Sequence, residues 1–167
     1  TSGVAVDSMI LSWWMGASSR GKLDPVNHES RRRALVLLDQ LHGENATIVI
    51  PTIVVAEVLL PMEARQQGNF LAALSSTSFF VAAFDIRAAA IAAKLWQFRA
   101  SAKAEEKSAR SIIKTDILII ATAAAAGAQT FYSHDEKCRK LAIEGAKLKA
   151  LPLPSGTLPF PDDDEDE

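Results

Sequence analysis

KTDILIIATAAAAGAQTFYSHD, residues 114–135, decides how the chain is read. From Ile117 through Ser133 it carries no acidic or basic residue. It predicts a buried helix over Thr115–Ala126 with Gly127 as its C-cap. Thr130–Ser133 (TFYS) has strand character, and Asp135 opens a second predicted helix over Asp135–Ile143. This stretch therefore sets Asp116 at the start of an apolar helix and Asp135 just past the end of a strand.

Working outward, the same alternation recurs. Gly3–Val6 (GVAV), Thr47–Ile50 (TIVI), Phe79–Phe84 and, more weakly, Lys147–Leu151 are short apolar runs of strand type. Between them lie helix-like stretches over Ser8–Met15, Pro25–Leu41, Thr52–Gln67 and Asp85–Ala109. Pro61 should stop or kink the third of these, because proline has no N–H to donate and clashes with the preceding turn. Short strands alternating with longer helices predict an α/β domain with a mainly parallel sheet. In such a sheet, sites form where strands end and helices begin. Asp7 directly follows GVAV, and Glu57 lies in the first turns after TIVI. With Asp116 and Asp135 they make four carboxylates that one sheet edge could gather.

Their surroundings sharpen the point. Glu57 is flanked by Ile53, Val54, Val55, Ala56, Val58, Leu59 and Leu60, and burying a carboxylate among such residues is costly unless it is paired or binds a metal. Plain structural roles exist for each acid. Asp116 suits the positive end of a helix dipole, Asp135 suits an N-cap, and Glu57 could be one polar residue on a solvated face. The four together carry the argument.

VAVDSMIL, PTIVVAEVLL, KTDILIIATAAAAGA and FYSHDEKCRKLA, in that order, resemble the acidic motifs of PIN domains, and more narrowly of VapC-type toxin ribonucleases. The resemblance covers about residues 3–151. It implies a PIN-like three-layer α/β fold, with a mainly parallel central sheet flanked by helices. It also implies a metal-dependent endoribonuclease that leaves a 5′-phosphate, using one or two Mg²⁺ or Mn²⁺ ions held by Asp7, Glu57, Asp116 and Asp135. Ser133 stands at the family's usual Thr or Ser position, and Ser8 follows the first Asp as it often does there. A small antitoxin and a homodimer are implied partners, with RNA as substrate. The chain departs from the pattern in its long Ala-rich segment Asp85–Ala109, in Pro61 and in its acidic end.

The chemistry of those residue types fits. Hard divalent cations prefer oxygen ligands, and four clustered carboxylates repel one another unless a cation intervenes. Asp7 and Asp116 are read as principal metal ligands and Asp135 as completing the set. Glu57 is read as a ligand, directly or through water, or as orienting the attacking water. Lys114 could contact phosphate, and Ser8, Thr115 and Ser133 could donate hydrogen bonds to the ligands; Thr115 could equally be a helix cap. Two other readings are weighed. One is a catalytically silent PIN-fold module that binds RNA or assembles with a partner. The other is a phosphohydrolase with an aspartyl intermediate, which wants a second Asp two residues after the first, where Met9 stands.

Composition bounds the rest. The 167 residues suit one domain, expected over 1–151, followed by a Pro-rich and acidic tail over 152–167. Apolar residues make 49% of the chain and charged residues 23%, which excludes general disorder. The single cysteine, Cys138, excludes an intrachain disulfide and a multi-Cys zinc site. With no signal-peptide pattern and no apolar run near the ~20 residues of a membrane span, a cytoplasmic protein outside any membrane is expected. The net charge of −2 conceals a six-residue acidic end, Asp162–Glu167; without it, 18 basic and 14 acidic residues leave the body at +4. A polyanion is a permitted partner for such a body, and the acidic end could compete with RNA for it. Arg31, Arg32 and Arg33 read mainly as a solvated helix face. Of Trp13 and Trp14, one is expected in the core and the other against a base or a partner. His134 reads as a surface residue, and no Gly-rich phosphate loop is present.

Overall fold

The structure, a computed structural model, describes residues 3–16, 25–75, 78–101 and 110–155. The elements run β1 (Gly3–Val6), α1 (Ser8–Met15), α2 (Pro25–Gly43), β2 (Thr47–Pro51), α3 (Thr52–Leu59), α4 (Ala64–Leu74), β3 (Phe79–Ala82), α5 (Ile86–Ser101), α6 (Arg110–Ala125), β4 (Ala128–Tyr132), α7 (Glu136–Ala146) and β5 (Lys149–Leu151). The five strands form one sheet in the order β3-β2-β1-β4-β5, and every pairing is parallel. Helices cover it in a three-layer α/β arrangement, as expected.

Parallel strands covered on both faces read as near-continuous apolar runs, and the inner ones do. Val4, Ala5, Val6, Ile48, Val49 and Ile50 are all buried. β3, at the edge, leaves Phe80 and Val81 exposed. The core is completed by Ile10 and Leu11 from α1, Leu37 from α2, Phe70 from α4, Leu95 from α5, Ile120 from α6 and Phe131 from β4. On α5, Ala88, Ala92 and Leu95 are buried at helical spacing, while Ala90, Ala93 and Ala100 stay exposed.

The order of strands matters for function. The chain moves from β1 to β2 and β3 on one side, then returns to β4 and β5 on the other side of β1. The C-terminal ends of β1 and β4 therefore flank the point where strand order reverses, where open α/β sheets form their binding crevice. Register puts Val6 beside Tyr132, and the Asp7 N–H donates to the Tyr132 carbonyl at 3.1 Å.

Several boundaries differ from the sequence reading, while the break expected at Pro61 is present. The segment from Thr52 breaks near Pro61: α3 ends at Leu59 and α4 starts at Ala64. There Gln66 Oε1 accepts from the Glu63 N–H at 3.0 Å, and Gln67 Nε2 donates to the Leu59 and Met62 carbonyls at 3.1 and 3.2 Å. β3 stops at Ala82, because Asp85 turns the chain into α5 by accepting from the Ala88 N–H at 2.9 Å. α5 ends at Ser101; residues 102–109 of the expected long helix lie outside the described residues, as does the acidic end. Finally, α6 begins at Arg110, not Thr115, since nothing in RSIIK stops a helix. Thr115 is then no cap, and Asp116 lies in the second turn, where the helix dipole gives little support.

Candidate active site

Asp7 and Asp135 are placed by the ends of adjacent strands, and each also caps a helix. Asp7 Oδ1 accepts from the Ile10 N–H at 3.0 Å at the start of α1. Its Oδ2 accepts from the Ser133 hydroxyl. Asp135 Oδ1 accepts from the Lys137 and Cys138 N–H groups at 2.8 and 3.3 Å at the start of α7. Ser133 Oγ also accepts from the Asp135 N–H at 3.1 Å. One buried hydroxyl thus ties the two aspartates together. Below it, the Ser133 N–H donates to the Leu151 carbonyl at 3.1 Å, joining this loop to β5. Arg139 Nη1 donates to the Ser133 and His134 carbonyls at 2.8 and 2.9 Å, which holds the loop from the α7 side.

Glu57 and Asp116 arrive differently, on the flanks of α3 and α6. With Asp7 and Asp135 they line one cavity of about 340 Å³, whose other lining residues are Ser8, Met9, Thr115, Ile119, Ser133 and Cys138. Among the described residues, no Lys, Arg or His lines it. The sequence thus predicted seven of these ten residues, and the fold brings those seven together. Lys114 is the exception: it is exposed, and its ammonium sits 6.0 Å from the centre of the Trp96 ring. Lys114 therefore stands beside the cavity and not in its wall.

The electrostatics follow from this crowding. Burial, then the charges of Asp135, Glu57 and Asp7, push the Asp116 carboxyl up to about 6, while Arg99 acts the other way. Burial also raises Asp7, against hydrogen bonds from Ser133, Ile10 and His134. The Cys138 thiol is pushed up by burial and by the charges of Asp116 and Asp7, so it is a protonated wall residue and no nucleophile. Asp116, less enclosed than Asp7, is a carboxyl poised between neutral and charged near physiological pH, a common mark of functional sites.

An all-oxygen set of four carboxylates with two hydroxyls beside it suits a hard divalent cation. Among the described residues, no three His, Cys, Asp or Glu side chains are already drawn together as a coordination cluster. Asp7, Glu57, Asp116 and Asp135, which line the cavity, would hold such an ion.

Several residues near the site gave no signal in the sequence. Arg99 acts on Asp116 only because α5 packs along α6. Met9 forms an exposed part of the rim, and Ile119 and Cys138 form the apolar floor. His134 is exposed and meets Trp13 edge-on at 5.3 Å between ring centres, while Trp14 packs on Phe79 at 5.2 Å. Both tryptophans are half-buried against the core. Arg32 and Arg33 pair with Glu29 at 3.4 and 2.9 Å. Arg31 departs from the solvated-face reading: it is half-buried, and its guanidinium lies so close to Gly16 that a Cβ there would come within 3.0 Å. Gly16 ends α1 with φ 67°, which favours glycine independently.

A parallel α/β sheet with acids collected at its switch point is the class of arrangement that suits a divalent cation. More particularly, the PIN domain family model matches residues 4–144, and the chain belongs to that family. The structure is similar to that of VapBC2 from Rickettsia felis, solved bound to a DNA fragment from its promoter. There the TM-score is 0.60 at 17% identity, covering 90% of this chain and 98% of that one. It is also similar to VapC20 of Mycobacterium tuberculosis, a sarcin-ricin loop cleaving toxin. That match has a TM-score of 0.51 at 14% identity, covering 81% of this chain and 92% of that one. No individual curated protein matches the chain. Among the described residues, no helix is long and apolar enough to cross a membrane.

Proposed function

We propose that the chain is a metal-dependent endoribonuclease of the VapC type, the toxin of a toxin–antitoxin pair. One observation carries the reading: all four predicted acids border a single cavity, with no basic residue among the described residues of its wall. Mg²⁺ or Mn²⁺, when bound, supplies an activated water and charge neutralisation at the departing oxygen. The protein supplies position. Asp7 and Asp135 are fixed by their helix caps and by Ser133. Asp116 adds the carboxylate with the least structural duty. Glu57 completes the ring as ligand or orients the attacking water. Ser8 and Thr115 stand at the wall as hydrogen-bond donors, and no side-chain nucleophile is required.

Membership of the PIN family and likeness to two VapC-containing structures support the toxin assignment. On the same basis we propose a homodimer, a VapB-like antitoxin as partner, a cytoplasmic setting, and a nuclease unit over 1–151 followed by a separate tail over 152–167. Full presence of the acids weighs against the catalytically silent alternative. The test is cleavage of single-stranded RNA with and without Mn²⁺ by the wild type, Asp7→Asn and Asp116→Asn. Metal-dependent cleavage by the wild type and its loss in both variants is expected. Full cleavage by both folded variants would remove the assignment; metal-dependent binding by the wild type without cleavage would favour the silent module.

A further inference from the structure

The cavity repels the phosphates that its chemistry needs, so attraction must come from beside it. α5 runs IRAAAIAAKLWQFRAS with three basic residues and no acid. On it Trp96 keeps 43% of its surface open, and Arg99 is half-buried. Across from it on α6, Lys114 places its ammonium 6.0 Å from the centre of the Trp96 ring. Lys114 is separated from the cavity residue Asp116 only by Thr115, itself in the cavity wall. Arg99, one turn beyond Trp96 on the same side of α5, is close enough for its charge to act on Asp116.

We propose that Trp96, Lys114 and Arg99 form a substrate subsite on the α5–α6 pair, where one unpaired base of an RNA strand stacks on the indole and its flanking phosphates meet the two cations. The proposal rests on the nuclease reading and extends it to the path of the strand. Stacking on an aromatic face is tolerant of sequence, because every base has a π-face. Double-stranded RNA presents no such base, so the subsite selects unpaired segments. A second copy of the chain is a poorer occupant: lysine is depleted at protein interfaces, and here the Lys114 ammonium stands over the half-open indole.

The experiment is binding of a fluorescein-labelled single-stranded oligoribonucleotide, followed by anisotropy in EDTA so that cleavage plays no part. Wild type, Trp96→Ala, Trp96→Phe and Lys114→Ala are compared. Trp96→Ala should weaken binding about tenfold, Trp96→Phe should restore most of it, and an oligonucleotide of abasic sites should erase the difference. Lys114→Ala should lower the slope of log affinity against log salt by about one. Unchanged affinity in folded Trp96→Ala, with wild-type cleavage intact, removes the subsite and leaves the nuclease. The Trp96→Ala loss without any cleavage by the wild type keeps the subsite and removes the nuclease. A change of oligomeric state in Trp96→Ala, with RNA affinity unaltered, overturns the proposal in favour of a second copy on this face.

Discussion

Asp7 and Asp116 face the same cavity from opposite kinds of support. Asp7 sits at a strand end, accepts from the Ile10 N–H and the Ser133 hydroxyl, and is buried. Asp116 is a mid-helix residue, half-buried, with its charge opposed by three neighbouring acids. One carboxylate has a structural duty as well as a proposed chemical one. The other lies mid-helix among three like charges, with Arg99 acting in its favour, and the fold tolerates it at a cost. The contrast separates acids that the fold needs from acids that only the function needs.

The largest expected effect tests that separation. Asp7→Ala and Asp116→Ala should both lower RNA cleavage on the order of 100-fold or more, comparable to losing a main source of transition-state charge stabilisation. Their stabilities should diverge. Asp7→Ala loses a cap worth about 1 kcal/mol and leaves the Ser133 hydroxyl without its acceptor. Asp116→Ala, without added cation, should unfold at the same or higher denaturant concentration than the wild type. Equal destabilisation of both would erase the distinction.

Ser133→Ala probes the tie between Asp7 and Asp135. Loss of a group that orients metal ligands typically costs about 10–100-fold in metal affinity or activity. The expected readout is a raised Mn²⁺ requirement, with more modest destabilisation than Asp7→Ala. Cleavage at the wild-type Mn²⁺ requirement would mean the hydroxyl positions nothing.

A smaller effect is the pH dependence of the cation-free protein. The Asp116 carboxyl has an ordinary value of 3.8 unfolded and about 6 folded. Between those values the native state binds more protons than the unfolded one, so stability falls as pH rises. The penalty is absent below pH 4 and complete above about pH 6. For a half-buried group, after solvent screening, it amounts to about 1–2 kcal/mol. Urea melts at pH 4.5 and 7 should show the wild type losing this increment relative to Asp116→Asn. Parallel pH profiles would contradict the crowding. The smallest effect is that of the acidic end: deleting Asp162–Glu167 should raise cleavage about two- to threefold at low salt and leave it unchanged at high salt, where exposed charges are screened. No change at low salt would dismiss competition with RNA.

Much of this was legible in the chain because the acids sit at punctuation marks. Asp7 ends a four-residue apolar strand, Asp135 follows TFYS, and the break at Pro61 is dictated by proline chemistry. Their gathering follows from the rule that parallel sheets build sites at strand ends. What was not legible depends on packing. The early start of α6 escaped because RSIIK has no strong start signal, and this misplaced Asp116 at a helix end. That Lys114 stands over Trp96 was not legible either, because a helix turns successive side chains about 100° apart and its neighbour on α5 is set by packing. Arg99 and Cys138 reach the site through α5–α6 and α6–α7 packing, which no local pattern encodes.

The central claim is that Asp7, Glu57, Asp116 and Asp135 share one cation. Anomalous diffraction from crystals soaked in Mn²⁺ tests it directly. The expected result is a manganese peak in the cavity with oxygens of Asp7, Asp116 and Asp135 at coordinating distance. A peak bound elsewhere, with these carboxylates still apart around an empty cavity, would contradict it.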